Sequence, residues 1–154
     1  LYQSLIKNPD RFEFAIEKAV ELGVNTVHPV ITEHVINKTT NKTERWQAIA
    51  LAAMKQSQRC VLPKIFEPVN FADAIVSANG ELKLIADEKE NDSRISIADI
   101  KDSFSTIDLF IGPEGGFTAD EAELAVSNGF KILTLGARKF RSETAAIYTI
   151  GKLL

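Results

Sequence analysis

The amino-acid sequence predicts an α/β fold in which a mostly parallel sheet is flanked by helices. Short β-branched or apolar runs at 26–31, 82–86, 107–111 and 131–135 have the length and composition of buried strands. Segments with apolar residues at helical spacing lie between them. Because strands that alternate with helices are typical of a parallel sheet, we expect a ligand crevice at the carboxyl ends of the strands.

The first predicted helix runs from Asp10, its expected N-cap, to Leu22. Its apolar residues recur at helical spacing, and Gly23 is expected to end the helix. The strand at 26–31 follows. Pro29 is awkward within that strand, because a proline cannot donate to the ladder of a fully paired central position.

The middle of the chain continues the alternation. Thr43 or Glu44 begins a second helix, in which Trp46 is most simply a core residue. A short strand at 63–66 and a capped short helix at 70–75 come next. Two polar segments are expected to be loops, at 37–42 and 90–96.

A glycine-rich turn, Gly112-Pro113-Glu114-Gly115-Gly116, follows the strand at 107–111. Its glycines permit positive φ and let a flat ligand approach the backbone. Thr118 and Glu121 complete a capping box that begins the next helix. A plain strand-to-helix turn is the simpler alternative. The turn lacks the Lys-Ser/Thr of a Walker loop and the spacing of a dinucleotide fingerprint, so neither standard phosphate-binding motif applies.

A second glycine turn follows the strand at 131–135, which ends at Gly136. Ser142 can cap a last helix that runs from 143 to 154. Three cations just ahead of that helix form the densest cationic cluster in the chain: Arg138, Lys139 and Arg141. Cations at this position oppose the helix dipole. Such a local inconsistency favours a functional role for the cluster.

Composition limits the class of protein. The 154 residues, 45% of them hydrophobic, suit one globular domain spanning 1–154. A net charge of −3 argues against indiscriminate nucleic-acid binding. The single cysteine, Cys60, is expected to be a small buried residue in a reducing, cytoplasmic protein. We expect no metal site, because His28 and His34 lack partners at ligand spacing, and no membrane span, because no run is long enough.

Two motifs resemble the paired signature of a known family. The segment 111–117 reads Ile-Gly-Pro-Glu-Gly-Gly-Phe, and 135–145 reads Leu-Gly-Ala-Arg-Lys-Phe-Arg-Ser-Glu-Thr-Ala. Together they resemble the SPOUT-class methyltransferases of the RsmE type, which methylate N3 of a uridine in 16S ribosomal RNA. The amino-terminal half is similar to the same family at 10–13, 18–24 and 56–59, so the resemblance covers most of the chain.

The resemblance implies a topology and partners that the residue pattern alone does not indicate. SPOUT relatives tuck the carboxyl-terminal segment through a loop to form a trefoil knot, and they form homodimers with the site near the interface. Full-length relatives carry a small RNA-binding domain before this one, which we expect to be absent from this chain. The implied macromolecular partner is the ribosomal RNA of the small subunit.

The implied cofactor is S-adenosylmethionine, held by three loops that follow the strands at 82–86, 107–111 and 131–135. Glycines in two of these loops let the backbone come close to the cofactor. The expected cofactor-binding residues are Ile85, Ala86, Ile111, Gly112, Pro113, Gly115, Gly116, Leu135, Gly136, Phe140, Thr144 and Ala145.

The same resemblance suggests residues for the chemistry. Arg141 is the first choice for catalysis, because a guanidinium can orient phosphate or stabilise the uracil anion that forms when N3 loses its proton. Glu114 is a candidate base or orienting group. Glu143 is more simply a helix-start acid that favours the dipole. The expected RNA-binding residues are Arg59, Arg138 and Lys139.

Three functions stay open at this point. The first is methylation of uridine N3 in 16S ribosomal RNA. The second is a related SPOUT activity on another RNA position, such as a ribose 2′-hydroxyl. The third, from a different class, is a non-catalytic RNA-binding or dimerisation module that kept the fold.

Overall fold

A single parallel sheet forms the centre of the fold in a computed structural model of the chain. The structure describes residues 1–36, 42–88 and 94–154, so the loops expected at 37–42 and 90–96 lie mostly outside it. Within these ranges the sheet has seven strands, and every recorded strand pair is parallel. The predicted fold class of a mostly parallel sheet flanked by helices is confirmed.

The spatial order of the strands is β3-β2-β1-β6-β5-β7, with β4 also beside β2. The strands are β1 (Tyr2–Ser4), β2 (Thr26–Ile31), β3 (Lys64–Ile65), β4 (Val69–Asn70), β5 (Leu82–Ala86), β6 (Ile107–Ile111) and β7 (Lys131–Leu133). The sequence does not predict the interior strand β1, because two of its three residues are polar. Gln3 and Ser4 are nonetheless almost completely buried.

The helices are α1 (Pro9–Glu21), α2 (Thr43–Gln56), α3 (Phe71–Ser77), α4 (Ala119–Ser127) and α5 (Ser142–Leu153), with a single 3₁₀ turn at Ile97–Asp99 among the described residues. The capping box of Thr118 and Glu121 is confirmed at the start of α4. Asp10 is not the N-cap of α1. The side chain of Asn8 takes that role and accepts from the Asp10 N–H at 2.9 Å.

The helices cover both faces of the sheet. Contacts join α1 to α2 and α5, and α3 to α4. Two clusters of buried hydrophobic residues result: the first core cluster includes residues of α1, α2 and α5, and the second core cluster includes residues of α3 and α4. Strand β6 contributes to both, because Leu109 and Ile111 belong to the first and Phe110 belongs to the second. Trp46 is 3% exposed and packs against Phe12 with a 4.8 Å separation of ring centroids, which confirms its predicted place in the core.

Pro29 fits in an interior strand because the sheet is interrupted beside it. The His28 N–H donates to the Leu1 carbonyl, so the nitrogen of the next residue faces away from β1. On that side β3 pairs with Thr26 and Val27, and β4 pairs with Val30 and Ile31. Pro29 falls between these two short strands, where its missing N–H leaves no partner unpaired.

Two further expectations are wrong. The predicted strand at 131–135 ends at Leu133, because β5 ends opposite it at Ala86 and the Thr134 N–H bonds to Ile95 instead. Cys60 is exposed, in the turn that follows α2. Among the described helices, none combines the length and apolar character that a membrane crossing requires.

Candidate functional site

A pocket of about 290 Å³ lies where β5, β6 and β7 end. Ala86 is in register with both Ile111 and Leu133, so the three strands end at the same level of the sheet. The loops that follow them therefore converge, as expected for the carboxyl edge of a parallel sheet. The volume is close to the lower end of the range for small-molecule sites, roughly 300 to 1,000 Å³.

Most of the predicted site residues line this pocket. Nine of the twelve expected cofactor residues are there: Ala86, Ile111, Gly112, Pro113, Gly116, Leu135, Gly136, Phe140 and Ala145. Arg141 and Glu114, proposed for catalysis, line it too, as do Arg138 and Lys139, proposed for RNA. Residues from three separate parts of the chain thus meet in one cavity.

Three expected cofactor residues do not line the pocket. Ile85 points to the opposite face of the sheet from its neighbour Ala86 and packs in the second core cluster. Thr144 lies on the exposed side of α5. Gly115 packs against the loop after β2, where a Cβ would approach the Cβ of His34 to 3.0 Å.

Three further residues line the pocket: Asp87 and Glu88, which sequence reasoning placed in the first of the three cofactor loops without naming them as site residues, and Ser142, which it missed as a lining residue. The first two follow β5 directly, so the rule that carboxyl strand ends form the site was a sufficient signal for them. Glu88 pairs with Lys139 at 2.7 Å across the pocket mouth. Both side chains are at least half exposed, so this salt bridge contributes little stability.

The first glycine turn is held by backbone geometry and by a histidine. Gly116 has a φ of 68° and its N–H donates to the Pro113 carbonyl at 2.9 Å. The Gly116 carbonyl in turn lies 3.0 Å from Nδ1 of His34, which must carry the proton because a carbonyl can only accept. The loop after β2 thus supports the turn from outside the pocket.

Ser142 has a different role from the predicted helix cap. Arg141 occupies the N-cap position of α5 and makes no side-chain capping bond. The Ser142 hydroxyl instead donates to the Gly112 carbonyl at 2.5 Å and accepts from Nε2 of Gln3 at 2.8 Å. It therefore ties the start of α5 to the first glycine turn.

An ion-pair network centred on Arg11 reinforces the same junction. The Arg11 guanidinium donates to both carboxylate oxygens of Glu143, at 2.8 and 2.7 Å, and lies 3.3 Å from Glu114. Glu143 is thus more than a helix-start acid. Burial alone would raise its pKa, but hydrogen bonds from Arg11 and the backbone, with the charges of Arg11 and Arg141, lower the pKa below its ordinary value.

The cations at the pocket are less constrained than Arg11. Arg138 and Arg141 are exposed, and within the described residues neither side chain forms a hydrogen bond or salt bridge. The Arg141 guanidinium therefore remains available to a ligand that enters the pocket. Carboxylates of Asp87, Glu88 and Glu114 line the same cavity, so it presents both signs of charge.

Arg59 lies at the opposite edge of the sheet. Its guanidinium donates to the carbonyls of Val20, Val24 and Gly23 at 2.7 to 3.0 Å, just before β2 begins. The Val20 carbonyl belongs to the last turn of α1, and the Gly23 and Val24 carbonyls belong to the turn that joins α1 to β2. The geometry indicates that Arg59 holds the turn between α1 and β2, and it does not bring this residue to the pocket.

Another cavity, of about 380 Å³, is larger but less suited to a cofactor. It lies at the amino ends of the strands, near Leu1, Asp108 and Leu154. No lysine or arginine side chain is among its described lining residues, and no loop from a carboxyl strand end reaches it. We therefore assign the site to the smaller pocket. No cluster that could hold a metal ion occurs in the part of the chain that the structure describes.

Comparison with known proteins identifies the family. The chain matches the RNA methyltransferase domain over residues 1–154, and it belongs to that family. Ribosomal RNA small subunit methyltransferase E of Mesomycoplasma hyopneumoniae is 40% identical over 148 residues, which are 93% of this chain and 63% of that relative. The protein of the same name from Aquifex aeolicus is 32% identical over 100% of this chain and 67% of its own length. The predicted membership of the RsmE type is confirmed.

Solved structures agree with this assignment. A methyltransferase of Legionella pneumophila, solved with bound S-adenosylmethionine, superimposes with a TM-score of 0.91 at 33% identity, covering 99% of this chain and 63% of its own. Ribosomal RNA small subunit methyltransferase E from Neisseria gonorrhoeae, also bound to S-adenosylmethionine, gives 0.87 at 35% identity, covering 97% and 62%. The chain therefore spans less than two thirds of these proteins.

The Glu143 ion pair predicts a specific pH dependence. Because the folded pKa of Glu143 lies below its ordinary value of 4.5, its stabilising effect is complete above that value and is lost as pH falls through the folded pKa. Glu143→Gln should lower the free energy of unfolding by roughly 1–3 kcal/mol at pH 7. Urea unfolding at pH 7 to 3 should show the two proteins converging toward acid. Glu123→Gln, on exposed helix surface, is the control, and a pH-independent difference would contradict the assignment.

The position of Arg59 predicts an effect on stability and little on RNA binding. Arg59→Met removes the hydrogen bonds to the Val20, Gly23 and Val24 carbonyls at the end of α1 and in the turn after it, so the free energy of unfolding should fall by about 1–3 kcal/mol in urea titrations. Arg138→Met removes the same charge without removing a bond in the described structure, so its stability should match the parent chain. Unchanged stability of Arg59→Met together with weakened RNA binding would instead support the role first expected from the sequence.

Proposed function

We propose that the chain transfers a methyl group from S-adenosylmethionine to N3 of a uridine in the ribosomal RNA of the small subunit. The observation that carries the proposal is the convergence of three loops on one pocket, in a chain that the RNA methyltransferase domain matches from end to end. Two structural relatives with S-adenosylmethionine bound support the choice of cofactor.

The residues of the pocket fit this cofactor. Ala86, Ile111, Leu135 and Ala145 offer an apolar lining for an adenine ring. Gly136 has a φ of 94° and no atom would contact a Cβ there within 4 Å, so its backbone is open to the cavity. The carboxylates of Asp87, Glu88 and Glu114 suit a ligand that carries a sulfonium and an ammonium group.

The reaction places two demands on the protein. Bound S-adenosylmethionine would supply a methyl group that its sulfonium already makes electrophilic. Transfer would break a carbon–sulfur bond of the cofactor as a carbon–nitrogen bond forms at N3, and N3 would have to lose a proton that it holds tightly at neutral pH. The protein must therefore align the two reactants and stabilise the uracil anion.

Arg141 and Glu114 are suited to these demands. The Arg141 guanidinium, exposed at the pocket, can stabilise negative charge on the uracil or orient the adjoining phosphate. Glu114 also lines the pocket, where Arg11 holds its carboxylate, and it is the candidate for accepting or orienting the N3 proton. Arg138 and Lys139 lie beside them and can contact RNA phosphates, which supplies the local positive charge that a net charge of −3 requires.

Further parts of the proposal follow from the family. We include a homodimer with the site near its interface, a carboxyl-terminal trefoil knot, and action in the cytoplasm on ribosomal RNA. The alternatives are methylation of another RNA position, such as a ribose 2′-hydroxyl, and a non-catalytic RNA-binding or dimerisation module. The presence of both glycine turns around one pocket favours the enzyme over the module.

The decisive experiment identifies the methylated nucleoside. The chain, in excess over unmethylated small-subunit RNA or subunits, is incubated with methyl-labelled S-adenosylmethionine, and the RNA is digested for mass spectrometry. An excess of protein allows a single turnover to be detected. Labelled 3-methyluridine is the expected product. A 2′-O-methyl nucleoside would support the second function, and a folded chain that fails to bind S-adenosylhomocysteine in calorimetry would support the module.

Arg141→Ala should separate cofactor binding from methyl transfer. Because the side chain is assigned to the RNA substrate, the dissociation constant for S-adenosylhomocysteine should change less than about threefold, while single-turnover methylation falls by at least about a hundredfold. Lys152→Ala, which removes an exposed cation from the last turn of the same helix, is the matched control. Equal losses of binding and transfer in Arg141→Ala would refute the assigned role.

A further inference from the structure

Gln3 is a fully buried glutamine in an interior strand of the sheet. It lies in β1, in register with Ile111 of β6 and with Pro29 of β2, and has 0% exposure. Its Nε2 donates to the Ser4 carbonyl at 3.1 Å and to the Ser142 hydroxyl at 2.8 Å. The second bond joins residues that are 139 positions apart in the sequence.

The direction of these hydrogen bonds is fixed by chemistry. The Gly112 carbonyl can only accept, so the single proton of the Ser142 hydroxyl must go to it. The hydroxyl must then accept from the glutamine, which requires the NH₂ end of the amide to face Ser142. The Gln3 amide thus donates to the Ser142 hydroxyl, which donates to the Gly112 carbonyl of the first glycine turn.

This arrangement leaves the other end of the amide without a partner. Oε1 of Gln3 is buried and accepts no hydrogen bond within the described residues. A buried acceptor in this state is destabilising, and an aliphatic side chain would suit an interior strand better. A buried residue that destabilises the core but is bonded to a residue lining the pocket is expected where the residue has a functional role.

The chain of hydrogen bonds ends on two walls of the pocket. Gly112 has wide backbone freedom, and a bond to its carbonyl fixes the peptide plane that leads into Pro113. Both residues line the cavity. Ser142 is the first residue of α5, and its neighbours Arg141 and Ala145 line the cavity from the other side.

We propose that Gln3 is a positioning residue: by orienting the Ser142 hydroxyl onto the Gly112 carbonyl, it fixes the spacing between the first glycine turn and the start of α5. It touches no ligand and acts through Ser142. The identity of the ligand rests on the proposed function, whereas the effect on the turn does not. Loss of the amide frees the hydroxyl to rotate and lets the two walls separate.

The test compares Gln3→Met, Ser142→Ala and the double variant. Calorimetry with S-adenosylhomocysteine should show binding weakened about tenfold in each single variant, as expected for one lost hydrogen bond to a neutral group and some loss of order. Because both changes break the same series of hydrogen bonds, binding by the double variant should also be weakened by only about tenfold. Hydrogen exchange at the Gly116 amide, which bonds to Pro113, should accelerate about tenfold in all three variants.

Matched controls separate positioning from general stability. Ser4→Ala and Thr149→Val each remove a buried hydroxyl that has no partner within the described residues, the first from β1 and the second from α5. Both should bind the ligand and exchange at Gly116 as the parent chain does. Urea unfolding of all variants measures any change in stability.

Defined outcomes overturn the proposal. If Gln3→Met binds S-adenosylhomocysteine as tightly as the parent chain, Gln3 has no positioning role. If the two single effects multiply to about a hundredfold in the double variant, Gln3 and Ser142 act separately. If the parent chain itself fails to bind S-adenosylhomocysteine, the proposed function fails. Hydrogen exchange then becomes the test of the positioning role. Parental exchange at Gly116 in Gln3→Met would then refute the positioning role.

Discussion

The site depends on the parallel alignment of three strands that end together. Ala86 lies opposite Ile111 on one side and Leu133 on the other, so β5, β6 and β7 stop at one level. Segments distant in the sequence must therefore leave the sheet at the same place. A shift in register of a single strand would turn its buried residues to the other face and move its loop away from the others. The pocket is thus a consequence of strand pairing before any ligand chemistry is considered.

Polar contacts convert this convergence into a defined cavity. Ser142 joins α5 to the Gly112 carbonyl, and Arg11 joins α1 to Glu143 and Glu114. Both sets of contacts meet at the start of α5, directly after the exposed Arg141. A helix whose first turn is held from two sides can present a guanidinium at a fixed position. This accounts for cations at a helix start, where the dipole alone would disfavour them.

The local sequence pattern was sufficient to predict part of this structure. The strands at 26–31, 82–86 and 107–111, the capping box and the core position of Trp46 follow from composition and spacing. Strand β1 could not be predicted, because its polar residues are satisfied or buried only through contacts across the fold. The same holds for the ion pairs of Arg11 and for the bond between Gln3 and Ser142, which join residues more than 100 positions apart. Ser142 was expected to cap its own helix, and tertiary contact redirects its hydroxyl.

The structure of the chain with S-adenosylhomocysteine tests the central claim most directly. The account predicts that the ligand occupies the pocket at the carboxyl ends of β5, β6 and β7 and touches all three loops, with its sulfur on the side of Arg141. A contact with Ala86, Gly112 or Gly136 would in each case show that the ligand touches one of the three loops. A ligand bound in the cavity near Leu1 and Asp108, or contacting only one of the three loops, would contradict it.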